Sequence, residues 1–134
     1  MVRKLEVEDI VKILKLDNLD IEEFFPCEKG EFVQWLISQS DNPQLFLWGN
    51  VNEVGDLKGF MIAINGVFKP VSDYVSILYF RSSDDFEINK EMVSQLNEWA
   101  KEKRASKIVF TCQNIKVYHK YGATQQGIVG GWDL

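Results

Sequence analysis

Histidine occurs once and cysteine twice in the 134 residues, and that scarcity excludes much. Cys27 and Cys112 lie far apart, with no second Cys or His at ligand spacing. Neither a metal site nor a disulfide framework is expected, and both thiols should be free and at least half-buried. No apolar run approaches the ~20 residues of a membrane-spanning helix, and Met1-Val2-Arg3-Lys4-Leu5-Glu6 lacks the apolar core of a signal peptide, so a cytoplasmic protein is expected. Basic charge is in deficit too. The net charge of -5 and the pI near 4.9 count against nucleic acid and anionic membrane as partners, since both attract a basic surface. What remains is a hydrophobic content of 46%, enough for one packed core. A single domain over residues 1–134 is the expectation.

Hydrophobic period divides the chain. Val2 to Leu5 reads as an edge strand, and Ile10, Ile13 and Leu14 mark a helix opening near Asp9. A second helical piece, Asp17 to Phe25, ends at Pro26, which disfavours helix in the residue before it. Phe32, Trp35 and Leu36 repeat the helical spacing from Glu31 until Ser40-Asp41-Asn42-Pro43 stops it. Period two then takes over from Leu45 to Asn50, with a turn at Asn52 to Asp56 and a second strand from Leu57 to Asn65. Tyr74 to Phe80 completes a three-strand meander. Met92, Leu96, Trp99 and Ala100 share one face of a long helix from about Ile88 to Arg104, with cations in its last turns. Lys107 to Thr111 reads as a buried strand, parallel to Tyr74 to Phe80 because a helical crossover joins them. A short helical piece around Ile115 to Lys120, Gly122, and a final strand or tail from Gly127 to Leu134 follow.

This order resembles the GNAT family of acyl-CoA-dependent N-acyltransferases over nearly the whole chain. Val2-Arg3-Lys4-Leu5 before Glu8-Asp9-Ile10 is similar to that family's first strand and helix, and Lys58-Gly59-Phe60-Met61-Ile62 to its third strand. Val117-Tyr118-His119-Lys120-Tyr121-Gly122-Ala123 is similar to its segment after the fifth strand, with Ala123 in place of the usual Phe. The resemblance implies an α/β fold: a mixed central sheet flanked by helices, an antiparallel meander with a parallel pair formed by the fourth and fifth strands. It also implies acetyl-CoA as cofactor and an amine of a small molecule or protein as acceptor. Backbone around Leu78, Tyr79, Phe80 and Arg81 would pair with the pantetheine arm, and Tyr118 would act as catalytic general acid toward the departing thiolate.

One departure stands in the loop before the long helix. There the family carries Arg or Gln, two residues, Gly, any residue, then Gly or Ala, so that backbone closes around a pyrophosphate and N–H groups at the helix start face it. Here the stretch is Arg81-Ser82-Ser83-Asp84-Asp85-Phe86-Glu87-Ile88-Asn89, without glycine. Anchored on Trp99, Asp84 takes the Arg or Gln position, and Glu87 and Asn89 take the two small ones. Asp84, Asp85 and Glu87 would cap the helix themselves and repel an anion within the ~8 Å screening length of physiological salt. The competing reading is a variant phosphate site in which Arg81 and the Ser82 and Ser83 amides substitute.

The remaining candidates have plainer explanations. Tyr118 fits a core aromatic with its hydroxyl at the surface, His119 a solvated side chain, and Glu53, Asp56 and Asp73 turn formers at strand ends. Trp35, Trp48 and Trp99 fit the core. Trp132, if exposed, would mark a binding surface or a homodimer contact. The sequence therefore supports two functions: an acyl-CoA-dependent N-acyltransferase, or a catalytically silent interaction or regulatory module of the same fold that does not bind acetyl-CoA.

Overall fold

A computed structural model describes residues 1–112, 114–127 and 130–134. Five strands, β1 (Val2–Lys4), β2 (Leu45–Val51), β3 (Leu57–Asn65), β4 (Tyr74–Arg81) and β5 (Lys107–Val109), form one sheet in that spatial order. All neighbours run antiparallel except β4 and β5, which run parallel. The helices are α1 (Val7–Val11), α2 (Ile21–Phe24), α3 (Lys29–Ser38) and α4 (Phe86–Glu102).

Alternation in the strands sends side chains to two separate cores. Leu45, Leu47, Phe60 and Ile62 face Ile10, Ile21, Phe32 and Leu36 of α1, α2 and α3. Phe46, Met61, Ala63 and Val75 face Met92, Leu96 and Ala100 of α4. Both faces are covered, which is why β3 reads as an unbroken apolar run from Phe60 to Ala63 rather than an alternating one. Burying each Met or Leu side chain of α4 contributes about 1.5–3 kcal/mol.

Local chemistry fixes the first helix. Glu6 and Asp9 form a reciprocal capping box at its start. The guanidinium of Arg3, on β1, donates to both Asp9 oxygens at 2.7 and 2.9 Å. After Val11 the helix tightens into a 3-10 turn over Lys12–Lys15, and Lys29 Nζ donates to the carbonyls of Leu14 and Leu16 at 3.0 and 2.7 Å.

The structure corrects several expectations. The second helical piece shrinks to the single turn Ile21–Phe24. β5 ends at Val109, and its Lys107 is exposed and Ile108 only half-buried, because β5 is the sheet's edge rather than an interior strand. Cys112 and Trp35 are exposed. Trp48 and Trp99 are half-buried, both packed on Phe46. Gly127 and residues 130–134 form no strand, and Ile128 and Val129 of that stretch lie outside the described residues. Among the described residues no helix is long and apolar enough to cross a membrane.

Candidate functional site

β4 is eight residues long and β5 three, and only Tyr74, Val75 and Ser76 find parallel partners. From Ile77 onward that side of β4 is open: among the described residues no backbone hydrogen bond joins 77–81 to the chain after β5. The opposite ladder is irregular at the same place. Ala63 pairs with Ile77 and Ile62 with Tyr79, leaving Leu78 as a bulged extra residue. A bulge redirects side chains. Leu78 and Tyr79 consequently both pack toward α1–α3, while Ile77 and Phe80 pack toward α4. Gly59 of β3 permits a close approach here, since a Cβ on it would lie 2.6 Å from the Arg81 carbonyl.

Beyond Arg81 the loop is closed on itself. Asn89 is buried on α4. Its Oδ1 accepts from the Ser83 N–H at 2.9 Å and the Ser83 hydroxyl at 3.1 Å, and its Nδ2 donates to the Ser83 carbonyl at 2.9 Å. Asp85 is the N-cap, its Oδ1 accepting from the N–H groups of Glu87 and Ile88 at 2.9 and 3.4 Å. The Asp85 N–H donates to the Ser83 hydroxyl at 3.3 Å. Asp84 and Glu87 are exposed.

Tyr118 reaches this region from a 3-10 helix, Ile115–Tyr121, which starts at Asn114, whose Oδ1 accepts from the Lys116 N–H, and stops at Gly122 with φ 88°. That left-handed conformation suits glycine. The Tyr118 ring meets Phe110 edge-on, with centroids 5.0 Å apart. Burial first, then the nearby Cys112, Tyr121 and Asp20, push its hydroxyl above the ordinary tyrosine range. It therefore keeps its proton at neutral pH and can act as a donor, not a base.

A cleft of about 170 Å³ joins the pieces, and Phe80, Ser82, Ser83 and Tyr118 all line it. Leu78, Tyr79 and Arg81 keep their backbone on the open edge of β4, while their side chains point away from the cleft. Leu78 packs in the α1–α3 core. The Tyr79 hydroxyl donates to Asp20 Oδ1 at 2.8 Å, and burial together with Asp20 drives its pKa strongly upward. Arg81 Nη1 donates to the Asn18 carbonyl at 3.2 Å, and Arg81 is not part of the cleft wall. His119 is exposed.

Two cleft residues named in the sequence have roles there that the sequence does not assign. Lys120 sits over the Phe86 and Tyr121 rings, at 5.2 and 5.4 Å from their centroids. Asn89 holds the loop. Its signal was present: a polar residue three before Met92 and seven before Leu96, on the buried face of α4.

The residues fit one part of a coenzyme A thioester and not another. An amide-bearing arm matches the open edge of β4 and the proton held by Tyr118. A diphosphate does not fit the loop in the usual way, since the Ser83, Asp85, Glu87 and Ile88 N–H groups are already engaged and Asp84 and Glu87 add negative charge.

No protein-family model matches the chain, and no curated protein does. Solved structures do. An acetyltransferase from Trypanosoma brucei is 15% identical, with a TM-score of 0.74 over 100% of this chain and 99% of that one. Glucosamine-6-phosphate N-acetyltransferase from Arabidopsis thaliana is 17% identical, with a TM-score of 0.71 over 99% and 97%. A GNAT family acetyltransferase from Staphylococcus aureus is 17% identical, with a TM-score of 0.71 over 100% and 98%. With its antiparallel meander, its parallel β4–β5 pair and these matches along its whole length, the chain has the fold of the GNAT acetyltransferases.

Proposed function

We propose that this protein is an N-acyltransferase of the cytoplasm that moves an acyl group from a thioester to the amine of a small molecule or protein. The observation that carries the reading is the open length of β4 beyond Ser76, with Tyr118 in the cleft beside it. Bound acyl-CoA would supply the activated acyl group. The open edge of β4 offers N–H and C=O groups to an extended arm, as an edge strand does to an added strand. The neutral amine nitrogen forms the new bond to the acyl carbon, the carbon–sulfur bond breaks, and the Tyr118 hydroxyl gives its proton to the departing sulfur. The proton shed by the amine passes to solvent, and Tyr118 takes one back from solvent, which returns the site to its starting state.

Acetyl-CoA at 100 times its dissociation constant should stabilise the protein by about 2.7 kcal/mol. A melting temperature unmoved at millimolar acetyl-CoA would sink the reading. Tyr118→Phe should leave that shift intact and lower kcat about a hundredfold, the smaller end of a general-acid contribution.

One observation favours the second reading, a silent interaction or regulatory module that does not bind acetyl-CoA: the Ser83, Glu87 and Ile88 N–H groups are already satisfied by the chain's own Asn89 and Asp85. The same titration separates the two.

A further inference from the structure

We infer that Lys120, and not the loop between β4 and α4, is the contact this cleft offers to an anion, so that the diphosphate of a donor is held by a side-chain cation. The inference rests on the acyltransferase reading.

The loop is filled from within. Asp85 places a carboxylate on the Glu87 and Ile88 N–H groups, and Asn89 places an amide oxygen on Ser83, so these three N–H groups have a built-in ligand. An incoming diphosphate would have to displace both side chains while facing the exposed carboxylates of Asp84 and Glu87. Lys120 is the cation in the cleft wall. Among the described residues it has no carboxylate within 4.0 Å, although Asp84 lines the same cleft. Its ammonium is held by two aromatic faces, Phe86 and Tyr121, which attract the charge without neutralising it or using its hydrogen bonds. A lysine so placed can turn its three N–H bonds to phosphate oxygens.

Two thioesters separate the possibilities: acetyl-CoA, and S-acetylpantetheine, which has the same arm and no phosphate. Calorimetry on the full chain should give about tenfold weaker acetyl-CoA binding in Lys120→Ala, the loss of one charge-assisted hydrogen bond, and no change for S-acetylpantetheine. Asp84→Asn should tighten acetyl-CoA alone. Both side chains are exposed, and unchanged melting temperatures without ligand would show that the variants fold. Equal acetyl-CoA affinity in the wild type and Lys120→Ala would overturn the inference and leave the acyltransferase reading standing. If neither thioester binds, that reading fails, and inorganic pyrophosphate decides the inference alone. Added pyrophosphate should perturb NMR signals of Lys120 and leave the Ser83, Glu87 and Ile88 amides in place; movement of those amides, or silence at Lys120, would count against it.

Discussion

Asp9 shows how one residue joins two elements. It closes the capping box of α1 and receives the Arg3 fork from β1, so strand and helix are fixed to each other by a single carboxylate. Burial works to raise its pKa, but the Arg3 and Glu6 hydrogen bonds and the charges of Arg3 and Lys12 outweigh it, and the group titrates below the usual aspartate range. The sign follows: a depressed pKa contributes stability that is present above the unfolded value, about 3.9, and is lost as pH falls through the folded value. Asp9→Asn should therefore flatten the loss of stability below about pH 4 in urea titrations. Asp9→Ala should cost about 2 kcal/mol at neutral pH, the worth of a charge-assisted pair with one half-exposed partner. The Asp after the first strand was readable in the sequence; its partner was not, because a fork between residues six apart depends on how β1 meets α1.

At the scale of elements, legibility followed the strength of the local signal. β3 matches its expected span, Leu57–Asn65, and α4 differs by two residues at each end, because a turn at Asn52 to Asp56 and a long apolar face are strong markers. β5 is shorter than its expected span, Lys107 to Thr111. Phe110 looks like a strand residue, yet its ring serves Tyr118 instead of the sheet. The loop before α4 was legible as acidic and glycine-free, but three acids could not be ranked by spacing alone. The structure gives the N-cap to Asp85 and leaves Asp84 and Glu87 exposed. Asp85→Ala should lower stability by about 1 kcal/mol, whereas Asp84→Ala should change it by less than about 0.5 kcal/mol. Denaturant midpoints of the two variants would check the ranking.

The whole molecule consists of two cores sharing one sheet, and residues of β3 alternate between them: Phe60 and Ile62 on one side, Met61 and Ala63 on the other. Neither core can open without exposing the back of the other, so the chain should unfold as a single domain in one transition. Leu36→Ala and Met92→Ala, one in each core, should each lower stability by about 2–5 kcal/mol and move the same transition. Circular dichroism and tryptophan fluorescence that separate in either variant would show two units instead of one. The fold was legible from the order of its elements. The candidate site was legible in part: Phe80, Ser82, Ser83 and Tyr118 meet in the cleft. The side chains of Tyr79 and Arg81 turn to Asp20 and Asn18, leaving their backbone on the open edge, because the Leu78 bulge redirects that end of the strand, and no local pattern announces a bulge.

The mismatch in length between β4 and β5 also sets the protein's clocks. Amide protons along Phe60–Ala63, covered on both faces and paired on both sides, should exchange with solvent only when the whole chain unfolds. Outward-facing amides of β4 past Ser76 have no such shield and should exchange orders of magnitude sooner. The slowest and some of the fastest protons of this protein thus lie one strand apart.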